Sequence, residues 1–105
     1  MKRAVPYHND LMKALSNSTE AAAYLNAVAE DQDIKFLLKA LRNVVEAQGG
    51  ITKLSKKTKL SRTQLYRTLS VDGNPEITTL DAILKVYNIR IGFYSEEQVQ
   101  RRHAA

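Results

Sequence analysis

The stretch that decides the fold is ITKLSKKTKLSRTQLYRTLS, residues 51–70. It contains six basic residues and no acidic one, whereas residues 1–50 contain six of each sign. Residues 71–105 contain four basic and five acidic residues, so the net charge of +5 is concentrated in this one window. A local patch of one sign is the electrostatic footprint of a polyanionic partner such as nucleic acid. The alternative is a solvated lysine-rich face without a partner.

The spacing within this window predicts two short helices joined by a tight turn. The first helix, 51–58, has three inward residues at i, i+3 and i+7: Ile51, Leu54 and Thr58. Ser61 is the predicted N-cap of the second helix, 61–69, with Gln64 at the capping-box position. Two short helices in this arrangement follow the plan of a helix-turn-helix, whose second helix enters the major groove of DNA.

The outward side of the second helix carries the residues expected to read bases. With Leu65 taken as the inward direction, at about 100° per residue, Thr63 and Arg67 point nearly opposite to it. Arg62 lies in the first turn, from which its side chain reaches forward. Arginine pairs bidentately with guanine, and threonine meets the thymine methyl or a base-edge acceptor. We therefore predict that Arg62, Thr63 and Arg67 read bases.

The first helix and the flanks of the second are expected to hold the DNA backbone. A helix that begins after Gly50 presents free N–H groups to a phosphate, and lysines neutralise further phosphates. The polar groups beside the base-reading set suit phosphate oxygens or neighbouring bases. The predicted backbone and flanking contacts are Ile51, Thr52, Lys53, Lys56, Lys57, Lys59, Ser61, Gln64 and Tyr66.

The remainder of the chain predicts a mainly all-α bundle of about five helices. Asn17 is a candidate N-cap for a helix that ends near residues 31–33, and the apolar period over 34–45 predicts the clearest helix. Gly49-Gly50 ends that helix, and Thr78 is the expected N-cap of the last one. Residues 1–33 form an arm and helix, residues 34–95 the DNA-binding part and residues 96–105 a flexible tail, within one compact domain.

Residues 89–94 alternate between apolar and other residues, which is typical of a short β-strand. Ile89, Ile91 and Phe93 share one side of it. A single strand is not stable alone, so it must pair with a second copy or with another protein. We therefore predict a homodimer whose interface contains Ile89, Ile91 and Phe93. The alternative is an extended tail that packs on the helices.

The stretch LSRTQLYRTLSVDGNPEITTLDAILKVYNIRIGF, residues 60–93, resembles the addiction-module antidote proteins, with a phage-repressor-like (Xre/Cro-type) helix-turn-helix. AAAYLNAVAE, residues 21–30, is similar to the N-terminal helix of that family. The resemblance implies that base readout falls on the first, second and sixth positions of the second helix, which are Arg62, Thr63 and Arg67. The family often has glycine where this chain has Lys59, and a positive φ there would strain a lysine.

The resemblance implies an antitoxin of a type II toxin–antitoxin pair. Such a protein neutralises a small ribonuclease-like toxin encoded beside it, and it binds the operator of its own operon, usually as a dimer, and represses it. The toxin would contact residues 1–33. The alternatives are a stand-alone, prophage-type repressor without a toxin and a module that binds an acidic protein.

Several other functional classes find no support in the residues. The two histidines, His8 and His103, lie near the ends, and no group of acid, base and nucleophile converges, so we expect no enzyme and no cofactor. The acidic pair Asp31 and Asp33 lacks a metal-ligand partner, so no metal is predicted. Cysteine is absent, which excludes disulfides and fits a cytoplasmic protein. No secretion signal or apolar span of about 20 residues is visible, so no membrane is expected.

Overall fold

The computed structural model describes residues 6–30 and 33–104. The mainly helical class predicted from the sequence is confirmed, but the described chain has seven helices rather than about five, and no strand. The helices are α1 Pro6–Leu15, α2 Ser18–Glu30, α3 Ile34–Ala47, α4 Gly50–Thr58, α5 Arg62–Thr68, α6 Ile77–Val86 and α7 Glu96–Ala104. None of these helices is long and apolar enough to cross a membrane.

Side-chain caps define where several helices begin. The Asn17 side chain accepts a hydrogen bond from the Glu20 amide at 3.0 Å, as predicted for α2. Asp33 caps α3 in the same way through the Lys35 amide, also at 3.0 Å. The prediction that Thr78 caps α6 is wrong. The first backbone hydrogen bond of α6 already runs from the Leu80 amide to the Glu76 carbonyl, which makes Glu76 the N-cap.

The core lies between α1 and α6, with α3 and α4 at its centre. Helix α3 packs against α1, α2 and α4, and helix α4 packs against α5 and α6. Burial of apolar side chains is the main source of stability in such a bundle, at about 25 cal/mol per Å². The largest fully buried side chains come from five different helices: Leu15, Val44, Leu54, Leu65 and Ile83.

Long-range hydrogen bonds fasten the first two helices to the remainder of the bundle. The Gln48 amide donates to the carbonyl of Leu15 at 3.0 Å, where α1 ends. Ser18 donates to the carbonyl of Tyr87 at 2.6 Å, which joins the start of α2 to the end of α6. Helices α1 and α2 therefore belong to the same core as the helices that follow.

The structure corrects the prediction of a strand over residues 89–94. These residues have no regular secondary structure in the single chain, because ladder hydrogen bonds require a partner strand. Ile89 is buried, Ile91 is half-buried, and Phe93 is 89% exposed. The alternative reading, a tail packed on the helices, therefore describes the segment as far as Ile91, while Phe93 extends beyond the core.

Residues 96–104, which lie within the tail expected over residues 96–105, are helical. Helix α7 forms there behind a reciprocal cap. Ser95 accepts from the Gln98 amide at 3.1 Å, and the Gln98 side chain accepts from the Ser95 amide at 2.9 Å. Glu96 and Glu97 in its first turn complement the helix dipole. In the described part of the chain, α7 packs against none of the other helices.

The buried tyrosine at the end of α6 predicts a loss of stability at high pH. Burial raises the pKa of Tyr87 from 10.0 to about 12. The unfolded chain therefore ionises near pH 10 while the folded chain keeps the neutral phenol, and stability present below pH 10 is lost as pH rises toward 12. We expect urea titrations at pH 9 and pH 11.5 to show the wild type losing about 2 kcal/mol more than Tyr87→Phe. Equal losses in the two proteins would contradict this prediction.

Candidate nucleic-acid interface

The turn between α4 and α5 is held by short hydrogen bonds from side chains of α4. Thr58 donates to the Leu54 carbonyl at 2.9 Å and accepts from the Leu60 amide at 3.2 Å. Ser55 donates to the Leu60 carbonyl at 2.6 Å. The amide and the carbonyl of Leu60 are therefore both hydrogen-bonded within the turn, residues 59–61. These bonds fix the angle between α4 and α5.

Lys59 adopts the left-handed conformation that the sequence analysis raised as a possible strain. Its φ is 68°, and its amide donates to the Ser55 carbonyl at 2.9 Å. A side chain in this region is strained by about 1–2 kcal/mol relative to glycine. The backbone here is therefore one that glycine would adopt freely.

We expect Lys59→Gly to be more stable than Lys59→Ala by about 1 kcal/mol. The two variants form a matched pair, because both remove the same charge and they differ only in Cβ. Urea denaturation measures the difference directly. If Lys59→Ala were as stable as Lys59→Gly, the left-handed turn would not exist in solution.

Helix α5 presents the predicted base-reading residues to solvent. Ser61 caps it as predicted, accepting from the Gln64 amide at 3.0 Å. Leu65 and Leu69 are 0% and 2% exposed, which fixes the inward side of the helix. The outward residues are all exposed: Arg62, Thr63, Gln64, Tyr66 and Arg67. The prediction of which side of α5 faces outward is thus confirmed.

The basic residues of the window are exposed and not neutralised by acidic groups. They are Lys53, Lys56, Lys57, Lys59, Arg62 and Arg67. Elsewhere in the described residues, Lys85 forms an ion pair with Asp81, and Glu46 contacts His8 at 3.4 Å. A surface of this sign and density holds a positive potential that attracts phosphate groups.

The structure divides the predicted flanking contacts between two places. Arg62 lies 3.4 Å from the Thr52 hydroxyl, so the first turns of α4 and α5 share one surface. Lys53 and Lys57 instead line a small cleft with Val86, the last residue of α6, and its C-cap Tyr87. Lys56, Lys59 and Ser61 are exposed near the turn, whereas the Ile51 side chain packs against the core. Ile51 therefore offers a partner mainly its backbone amide.

Sequence reasoning missed Arg42 of α3, whose side chain binds the C-terminal end of α5. Its guanidinium donates to the Leu69 carbonyl at the C-cap of α5, where the helix dipole favours a cation. Its position carried a signal, because Leu38, Arg42 and Val45 follow one another at i, i+4 and i+7 on α3. An arginine in line with two buried residues indicates a buried stem whose charged end has a specific acceptor.

The turn after α5 depends on glycine. A Cβ added at Gly73 would lie 2.4 Å from the Thr68 carbonyl oxygen, which is backbone and cannot move aside. The Gly73 amide donates to the Ser70 carbonyl at 2.9 Å, closing the turn. The chain can therefore leave α5 and reach α6 within a short loop.

In the described residues, no group of three or more histidine, cysteine, aspartate or glutamate side chains could hold a metal ion. The α4–α5 surface presents exposed cations, hydroxyls and one tyrosine on a pair of packed helices.

Residues 7–95 match the model of a family described as "Probable addiction module antidote protein". The chain belongs to this family. An antidote is defined by the toxin that it neutralises, so membership of this family implies a toxin partner for the chain. An uncharacterized protein of Haemophilus influenzae is similar to this chain, with 28% identity over 81 residues, which are 77% of this chain and 82% of that protein. No solved structure matches the chain.

Proposed function

We propose that this antitoxin neutralises a small ribonuclease-like toxin and also represses its own operon by binding operator DNA. The observation that supports DNA binding is the exposed, unpaired basic surface of α4 and α5. Family membership supports the antitoxin half of the proposal. Both activities belong to the cytoplasm, where the operon and its transcripts lie.

In this proposal α4 and α5 act as a helix-turn-helix, and α5 enters the major groove. At about 1.5 Å per residue, the seven residues of α5 span only a few base pairs. Arg62 and Arg67 would pair with guanines, and Thr63 would meet a thymine methyl or a base-edge acceptor. Arg42 would hold α5 at the depth that these contacts require, through its bond to Leu69.

Phosphate contacts would position α5 on the duplex. The N-terminus of α4 offers backbone amides at Ile51 and Thr52 to a phosphate. The exposed polar residues of the turn and of the α5 flanks would bind the neighbouring phosphates: Lys56, Lys59, Ser61, Gln64 and Tyr66. Lys53 and Lys57, beside α6, would add long-range attraction from the edge of this surface.

One α5 helix contacts too few bases to select a site in a genome, so the proposal includes a homodimer. Two copies would bind half-sites about 34 Å apart, one turn of DNA. Of the three residues predicted for the dimer interface, Ile89 is buried in its own chain, Ile91 is half-buried and Phe93 is fully available. Phe93 is therefore the proposed centre of the interface.

The toxin would bind the outer surface of the N-terminal part, residues 1–33. Helices α1 and α2 pack inward on α3, and neither contributes to the α4–α5 surface. Tyr7 on α1 is 77% exposed, an aromatic side chain available to a protein partner. This placement would leave α5 free to bind DNA while the toxin is held.

The first experiment is a pull-down of the full chain co-expressed with the adjacent open reading frame. The eluate is then titrated against the upstream DNA of the operon at several salt concentrations. We expect a small co-purifying protein and sequence-selective DNA binding, with log K falling by about 0.9 per neutralised phosphate per log unit of salt. DNA binding without a partner would indicate the stand-alone repressor instead. A partner without DNA binding would overturn the repressor half of the proposal.

A further inference from the structure

The small cleft beside α6 lies where the C-terminal ends of α3 and α6 meet α4. Its volume is about 70 Å³, and no residue of α5 lines it. One water molecule needs only about 10–15 Å³, whereas sites for drug-sized ligands measure about 300–1,000 Å³. The cleft therefore has room for a small ion or for one charged group of a larger ligand. Its lining residues are Gln48, Lys53, Leu54, Lys57, Val86 and Tyr87.

Two lysines give this cleft a positive charge. Lys53 and Lys57 lie one turn apart on α4, and among the described residues that line the cleft none is acidic. Like charges at this spacing repel each other and destabilise a helix. An anion bound between the two ammonium groups would replace that repulsion with attraction to both of them.

The position of one of these lysines depends on the glycine before α4. The Lys53 side chain lies across Gly49, where an added Cβ would be 2.5 Å from its Cδ and 3.5 Å from its Nζ. Gly49 also has a φ of 117°, which glycine adopts freely and other residues rarely do. The bare backbone at Gly49 therefore lets Lys53 fold back toward the end of α3, where Gln48 lines the same cleft.

A buried tyrosine without a side-chain hydrogen bond also lines the cleft. Tyr87 is 5% exposed, and in the described part of the chain only its backbone is hydrogen-bonded, through its amide to Leu84 and through its carbonyl to Ser18. A buried hydroxyl usually has a partner, because leaving it unsatisfied costs free energy. An oxyanion in the cleft would give the Tyr87 hydroxyl an acceptor.

We infer that this cleft binds a phosphate group, held by the ammonium groups of Lys53 and Lys57 and by the hydroxyl of Tyr87. A phosphate has several strong acceptor oxygens, so it can accept hydrogen bonds from all three donors at once. This inference goes beyond the proposed function, in which the two lysines add only long-range attraction. Inorganic phosphate and the backbone of DNA offer the same chemistry, and the two sources are separated by experiment.

The first test is a calorimetric titration of the full chain with sodium phosphate, at an ionic strength held constant with sodium chloride. We expect saturable binding of one phosphate per chain, and affinities about 10-fold or more weaker in Lys53→Gln and in Lys57→Gln, since each loses a charge-assisted hydrogen bond. Lys39→Gln is the matched control, because Lys39 is exposed on α3 outside the cleft and its loss removes the same charge. A wild type without saturable binding, or equal affinities in all three variants, would overturn the inference.

Tyr87→Phe tests the hydroxyl without any change of charge. We expect the affinity for inorganic phosphate to fall about 5- to 10-fold, because the ring and its packing remain while the donor is lost. Circular dichroism checks that the variant is folded. A wild-type affinity in Tyr87→Phe would contradict the three-donor site.

Operator binding by Tyr87→Phe distinguishes the two sources of phosphate. If a backbone phosphate of DNA occupies the cleft, this variant binds the operator duplex less tightly than wild type, although its charge is the same. Inorganic phosphate then also weakens operator binding by wild type more than chloride does at equal ionic strength. If the cleft takes free phosphate instead, neither change affects the affinity for the operator.

These outcomes are separable from those of the proposed function. Saturable phosphate binding with the expected variant behaviour, but no affinity for operator DNA, would leave the cleft assignment intact and remove the repressor role. Salt-sensitive operator binding by a chain that does not bind inorganic phosphate would do the reverse.

Discussion

Replacing Arg62 and Arg67 together with alanine is expected to abolish sequence-selective binding to the operator while leaving the protein folded. Each arginine that pairs bidentately with guanine contributes about 1–3 kcal/mol, which is about 5- to 150-fold in Kd. We expect losses of this size for the single variants and a loss on the order of 10²–10⁴-fold for the double variant. Fluorescence anisotropy with a labelled operator duplex, at fixed salt, measures these values.

The matched control for this experiment is Lys39→Ala. Lys39 is an exposed cation on α3, outside the α4–α5 surface, so its removal lowers the net charge without touching the proposed interface. All these residues are exposed, and surface substitutions change the free energy of unfolding by only about 0.5 kcal/mol or less. If the double variant bound operator DNA as tightly as Lys39→Ala, α5 would not be the base-reading helix.

Leu65→Ala is expected to destabilise the folded state more than any substitution on the outer side of α5. Leu65 is 0% exposed and forms the inward side of that helix. Truncating a buried leucine costs about 2–5 kcal/mol, a large share of the total of about 5–15 kcal/mol for a small domain. Thermal unfolding should show a fall in Tm of about 10–30 °C.

Gln64→Ala is the control for that prediction, since Gln64 is its exposed neighbour and only its backbone amide takes part in the cap. Its Tm should change by no more than a few degrees. A Leu65→Ala protein with unchanged Tm would mean that α5 does not pack on α4 in the way described.

The parts of the fold that could be predicted from the sequence are those governed by local interactions. The cap at Ser61, the cap at Asn17 and the inward position of Leu65 all follow from spacing within one or two helical turns. The exposure of Arg62, Thr63 and Arg67 follows from the same geometry. What remains a prediction is their role, because a free protein shows which residues are exposed and not what they bind.

The features that sequence reasoning missed depend on distant contacts or on competing local choices. Arg42 acts through Leu69, 27 positions away, and no spacing rule reveals that acceptor. Thr78 and Glu76 both stand where α6 could begin, and the backbone bond from Leu80 to Glu76 decides between them. Residues 89–94 alternate like a strand, but alternation cannot supply the neighbouring strand that would make them one. Helix α7 was missed because its capping box at Ser95 follows directly after that segment.

The order in which the helices pack along the chain has a consequence for how quickly the protein folds. Most packing is between consecutive helices, and the other pairs, α1 with α3 and α4 with α6, skip a single helix. A topology with contacts so close along the chain loses little loop entropy before the core forms, and such helical proteins fold in about microseconds to milliseconds. A ribosome adds only about 5–20 residues per second. Folding of the chain is therefore expected to be faster than its synthesis.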